Sequence, residues 1–100
     1  MSLEIINNKG IFEVSGEFTS ENKGKVKEYF NKLLDNYYEV VMCLNKTKIM
    51  DESAVDVLKF IHKKAAKRSK VLFVLGKDNR IIKKTFKAFK ISYIFKNDYN

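Results

Sequence analysis

The stretch Tyr38-Glu39-Val40-Val41-Met42-Cys43-Leu44 narrows most sharply what this chain can fold into. It is apolar at nearly every position and lacks the alternation of a half-solvated strand, so it reads as a strand buried on both faces. Such a strand needs partners at its edges and helices over its faces, and the flanking sequence supplies helices on either side. Before it, Val26, Tyr29, Phe30, Leu33, Leu34 and Tyr37 fall at i, i+3, i+4, i+7, i+8 and i+11, the apolar stripe of an amphipathic helix over 21–36. After it, Ala54, Val57, Leu58, Ile61 and Ala65 share one face of a second helix from Glu52 to about Ser69.

The remaining elements follow from punctuation. Leu3 to Asn7 and Gly10 to Ser15 are strand-like runs joined by Asn7-Asn8-Lys9-Gly10, a tight hairpin signal. Gly16 closes the second run, Thr19 or Ser20 can cap the first helix, and Asn45 to Lys48 reads as a loop. Val71 to Leu75 is a further buried strand. Asp78 or Asn79 can cap a third helix that turns Ile81, Ile82, Thr85, Phe86 and Phe89 inward and Lys83, Lys84, Lys87 and Lys90 outward. Ser92 to Phe95 is expected to be a last short strand. The expected order is β-β-α-β-α-β-α-β: a single α/β domain over 1–100, with about five strands in one mostly parallel mixed sheet and an antiparallel hairpin at one edge.

At 100 residues, 45% of them hydrophobic, the chain can hold one core without metal or disulfide staples. Its single cysteine, Cys43, sits in the buried run and reads as a small hydrophobe. No run approaches the ~18 apolar residues of a membrane span, and Met1-Ser2-Leu3-Glu4 lacks a signal pattern. The expected compartment is the cytoplasm. One His and one Cys in different elements make no metal cluster, no Gly-rich phosphate loop is present, and no nucleophile–base spacing supports an enzyme. No metal site and no cofactor are expected. His62 flanks an apolar helix face and reads as a partly buried structural residue.

Charge is distributed unevenly. Residues 1–58 carry 7 basic and 10 acidic side chains, whereas residues 59–90 carry 12 basic side chains against Asp78 alone. A basic excess confined to two consecutive helices points to an acidic partner, an anionic membrane face or nucleic acid, or to a solvated face. No helix-turn-helix spacing or aromatic strand motif accompanies it, so a nucleic-acid partner is not expected.

The functional signal lies at the start of the second helix, Ile49-Met50-Asp51-Glu52-Ser53-Ala54-Val55-Asp56-Val57-Leu58. Asp51 is a good N-cap, which puts Glu52 and Ser53 at the first two helical positions, where the dipole favours negative charge. A phosphoryl group on Ser53 would add about −1.5 to −2 of charge there, beside Asp51, Glu52 and Asp56. At about 100° per residue, Ser53, Asp56, Phe60, Lys64 and Lys67 line one flank outside the core stripe, so Phe60 is expected to be at least partly exposed.

This segment resembles the phosphoacceptor segment of the STAS family, the anti-sigma factor antagonists and their relatives. The family pattern is an apolar pair followed by Asp-Ser-Ser-Gly-Leu, and here the matching residues are Met50-Asp51-Glu52-Ser53-Ala54-Val55. The resemblance runs from Phe12-Glu13-Val14-Ser15-Gly16-Glu17-Phe18 to Tyr93-Ile94-Phe95. It implies a non-catalytic partner switch with Ser53 as phosphoacceptor, bound by an anti-sigma factor with serine kinase activity and restored by a phosphatase. It further implies a partner surface around Glu17, Thr19, Asn45, Lys48, Asp51, Glu52, Ala54, Asp56 and Phe60. Glu52 replaces the first serine, Ala54 the glycine, and Thr19 and Cys43 stand where many antagonists carry Asp, or Asp or Asn. The family's usual last helix is expected to be missing. The alternative implied by the same resemblance is a non-switching subunit of a lipid- or anion-transport complex or of a stress-sensing assembly, attached through the basic helices.

Overall fold

The computed structural model describes residues 2–97. Two strands, β1 (Leu3–Asn8) and β2 (Ile11–Phe18), are followed by helix α1 (Lys23–Asn36), strands β3 (Glu39–Cys43) and β4 (Thr47–Met50), and helix α2 (Glu52–Lys67). Strand β5 (Val71–Leu75), helix α3 (Arg80–Ala88) and a 3-10 helix (Ser92–Asn97) follow. The hairpin β1–β2 turns on Lys9 and Gly10, both at positive φ (54° and 90°), the twist that suits a two-residue connection. Asn7 fixes that turn by accepting the Gly10 N–H at 2.9 Å.

The sheet has five strands in the order β1-β2-β3-β5, with β4 also on β2. Only the β1–β2 pair is antiparallel. β2 pairs in parallel with β3 through Ile11–Glu13 and with β4 through Gly16–Phe18, so β3 and β4 lie in succession along the same strand. A register shift between Gly16 and Glu17 accommodates the change. Val40 to Cys43 are all buried, as the apolar run predicts. Alternate positions Val40, Met42, Leu44, Leu72 and Val74 join one cluster with Val26, Phe30 and Leu34 of α1, the apolar stripe of α2, and Ile82 and Phe86 of α3.

The fold class is the expected one, but two elements differ from the sequence expectation. Thr47–Met50, of which Thr47 and Lys48 were expected in the Asn45–Lys48 loop, is a strand whose inward positions are Thr47 and Met50. The inward Thr47 hydroxyl hides the strand pattern; it donates to the Val14 carbonyl at 2.7 Å in a buried bond. Ser92–Phe95, expected to be the last strand, is helical. Ile91, Ile94 and Phe95 are buried while Ser92 and Tyr93 are exposed, a spacing of three and four that belongs to a helix. Phe95 stacks on Phe86 with ring centroids 4.3 Å apart. Among the described residues no further helix follows.

Smaller corrections concern ends and rims. α1 starts at Lys23 behind Asn22, not behind Thr19 or Ser20. The Asn22 amide is spent on the Glu17 carbonyl (2.8 Å), and the Ser20 N–H goes to Asp51. Tyr37 stands just past α1 in extended backbone and is exposed. Ile81 and Phe89, at the margins of the nine-residue α3, are exposed, leaving Ile82 and Phe86 to fill the core.

Candidate functional site

Asp51 builds the site. It is the N-cap of α2, in extended backbone, and its two carboxylate oxygens serve different elements. Oδ1 accepts the Ala54 N–H at 3.1 Å, capping the helix. Oδ2 accepts the Ser20 N–H at 3.0 Å, across the connection between β2 and α1. The start of α2 is thereby tied to the segment Glu17–Ser20, and Ser53, the second helical residue, is held half-buried.

Ser53, Asp56, Val57 and Phe60 form the α2 wall of a depression of about 310 Å³ whose other wall is Lys23, Gly24 and Lys27 of α1. Phe60 is 41% exposed, consistent with its expected place on the flank. The Lys27 ammonium sits 4.4 Å from the Phe60 ring centroid, a cation–π contact across the two helices. Beyond Phe60 the groove continues into a second depression of about 480 Å³, lined by Asn31, Asp35, Lys63, Lys64, Lys67 and Arg68. Its floor is cross-braced: Lys64 donates to Asp35 (2.8 Å) and to Asn31, and Arg68 reaches the same Asp35 oxygen at 3.2 Å. The Lys64 hydrogen bond holds the Asp35 carboxyl below its ordinary range, with Lys64, Arg68 and Lys70 adding charge attraction.

On the other side of the helix start, β2–β4 pairing sets Glu17 opposite Ile49 and Phe18 opposite Met50. The Asn79 side chain pins the β3–β4 connection by donating to the carbonyls of Leu44 (3.0 Å), Asn45 (3.2 Å) and Thr47 (2.8 Å). Asn45 and Lys48 line a separate open depression with Asp78, Arg80 and Ile81. The expected partner residues therefore divide. Ser53, Asp56 and Phe60 share the α1–α2 groove, Asn45 and Lys48 face α3, and Glu17, Thr19 and Asp51 lie on the segments stitched together at the helix start. Glu52 is exposed. Ala54 is a correction: at 0% exposure it belongs to the core stripe of α2 and offers a partner no surface.

A comparison with family models matches the STAS domain over residues 1–98. The chain belongs to the STAS family. Its fold is similar to that of the anti-sigma factor antagonist SpoIIAA in its unphosphorylated form, with a TM-score of 0.61 at 12% identity, over 86% of this chain and 80% of that one. No curated protein matches the sequence. Within this STAS fold, sequence reasoning overlooked Lys23 and Lys27, so the surroundings of Ser53 looked purely acidic. Their four-residue spacing on one flank of α1 was the available signal. The clamping role of Asn79 also went unseen, although its capping role was expected; its Oδ1 accepts the N–H groups of Ile81 (3.0 Å) and Ile82 (3.4 Å).

Among the described residues no three His, Cys, Asp or Glu side chains gather to hold a metal ion, and no helix is long and apolar enough to cross a membrane. His62 is half-buried with its ring 5.4 Å from that of Tyr93, and burial lowers its pKa from 6.5. A lowered pKa means the unfolded chain takes up the proton more readily than the folded one. The His62 contribution is therefore intact above about pH 6.5 and is lost as pH falls through the folded value. Thermal midpoints should drop on acidification more steeply for the wild type than for His62→Gln; parallel pH curves would contradict this. The partial exposure of the ring keeps the difference small.

Proposed function

We propose that this STAS domain is an anti-sigma factor antagonist-type switch, acting in the cytoplasm without catalysing a reaction itself. Unmodified, the surface around Ser53 binds an anti-sigma factor with serine kinase activity. The kinase transfers the γ-phosphoryl group of a nucleoside triphosphate to Ser53 Oγ, the hydroxyl proton leaves to a base of the kinase, and the complex dissociates. A phosphatase hydrolyses the phosphoserine and restores binding. The observation that carries this reading is the placement of Ser53. It stands half-buried at the second position of α2, on the rim of a depression, with the helix start stitched to Glu17–Ser20 by Asp51. A hydroxyl there can lie in an interface, and an added dianion would be desolvated in that interface at a cost of several kcal/mol.

Ser53→Asp should weaken capture of the kinase-type partner from source cells by at least about tenfold, equivalent to ~1.4 kcal/mol, with an unchanged circular dichroism spectrum. Ser53→Ala should still bind. Equal capture by wild type and Ser53→Asp would contradict the switch.

One observation favours a second reading, a non-switching subunit of a membrane-transport or stress-sensing complex. α3 and its flanks expose Ile81 and Phe89 among Arg80, Lys83, Lys84, Lys87 and Lys90, a basic surface with apolar anchors. On that reading wild type, Ser53→Ala and Ser53→Asp retain one partner equally, and reversing charge at Lys84 and Lys87 releases it.

A further inference from the structure

We infer that Lys23 and Lys27 of α1 form an intramolecular seat for a phosphoryl group on Ser53, so that modification closes the α1–α2 groove from within. This rests on the reading of Ser53 as phosphoacceptor and assigns that site its receptor. Both lysines line the depression that Ser53 lines, from the opposite helix, one turn apart. Among the described residues Lys23 has no carboxylate partner and Lys27 is engaged only with the Phe60 ring. Asp56 is the one acid in that lining. The cavity thus holds an excess of one positive charge before modification, and a phosphoryl group of about −2 reverses it.

Geometry favours the intramolecular arrangement. The phosphoryl group is tethered to a helical residue and the lysines rise from a second helix packed against it, so only their flexible side chains need to adjust. The first turn of α2 contributes its dipole to the same anion. Lys27 has to leave Phe60 to reach the phosphoryl oxygens, because Ser53 and Phe60 stand seven residues, about 10 Å, apart along α2. Phosphorylation would then occupy the Ser53 end of the depression, bridge α1 to α2 and free the Phe60 ring in a single step. A partner that uses the groove meets a bridge across it as well as a charge.

The test uses the full chain with phosphoserine incorporated at position 53, followed by phosphorus NMR across a pH titration. Lys23, Lys27 and the helix dipole favour its dianion while Asp51, Glu52 and Asp56 oppose it, so the second ionisation, ordinarily about 6, reports which set the group faces. In the Lys23→Gln/Lys27→Gln variant it should rise by roughly half a unit or more. Lys63→Gln/Lys67→Gln, which removes equal charge from the neighbouring depression, should leave it in place. Lys23 and Lys27 are exposed, so the double variant should fold, which its circular dichroism spectrum would check. An identical titration in wild type and Lys23→Gln/Lys27→Gln overturns the seat, whatever the partner does. A lowered ionisation that depends on these lysines, in a protein whose partner ignores phosphorylation, upholds the seat and defeats the switch.

Discussion

Replacing Gly16 by valine should lower the thermal midpoint by at least about 12 °C, from a cost of ~3 kcal/mol or more at 4–8 °C per kcal/mol for a domain of this size. Two independent penalties combine. Gly16 holds φ at +114°, where an L side chain is strained by about 1–2 kcal/mol. A Cβ at that position would also lie 2.3 Å from the backbone oxygen of Ser2 and 3.2 Å from Leu3 Cα, neither of which can rotate away. Backbone on both sides is committed: the Gly16 N–H donates to Lys46 and the Glu17 N–H to Ser2. Relief requires β1 or β4 to move, and β4 leads directly into Asp51. The variant should therefore lose partner binding along with stability. Gly24→Ala serves as the contrast, because its Cβ meets nothing within 4 Å on an ordinary helical backbone; it should stabilise α1 by about 0.5–1 kcal/mol. Thermal melts followed by circular dichroism decide both, and a Gly16→Val midpoint within a few degrees of wild type would refute the close-approach argument.

Asn79→Ala should cost about 2–4 kcal/mol. One part, about 1 kcal/mol, is the lost N-cap of α3. The remainder is the loss of the Asn79 side-chain donor to the carbonyls of Leu44, Asn45 and Thr47; Leu44 keeps the Thr47 N–H, so the cost falls on Asn45 and on Thr47, a buried residue. An unsatisfied buried acceptor costs about 1–3 kcal/mol. Asn79→Asp separates the two roles. Aspartate keeps the capping oxygen but turns a carboxylate toward three carbonyls, so it should fail to rescue and should be at least as destabilised as alanine at neutral pH. Recovery of wild-type stability in Asn79→Asp, read from chemical denaturation, would mean that the clamp contributes little.

The elements that were legible in the sequence are those whose apolar period is complete and whose ends carry their own chemistry. α2 has Ala54, Val57, Leu58, Ile61 and Ala65 in register and Asp51 in front, and both features hold in the structure. β3 was legible because four consecutive buried residues leave a helix nothing to expose. β4 was not legible. It is four residues long, and one of its two inward positions is a threonine satisfied by the Val14 carbonyl, a bond that no local pattern announces. The last element was misread because a six-residue segment carries too little periodicity to tell alternation from a turn of helix, until Phe95 is seen stacked on Phe86.

The site divides in the same way. Ser53 and Phe60 could be placed on one flank from helical spacing alone, because both belong to α2. Lys23 and Lys27 could not be joined to them, because that depends on how α1 crosses α2, a property of the packed cluster and not of either helix. Ala54 shows the opposite error. Helical spacing put it on the core stripe, while the family resemblance put it on the partner surface, and the structure sides with the spacing.

The central claim is that Ser53 carries a phosphoryl group that controls partner choice. The most direct test is phosphosite mapping on the protein recovered from its own cells, with co-purifying proteins identified from the same preparation. The switch predicts phosphate on the Ser53 peptide in one fraction and a kinase-type anti-sigma factor bound only in the unmodified fraction. An unmodified Ser53 under every growth condition, with membrane-transport subunits bound instead, would contradict it.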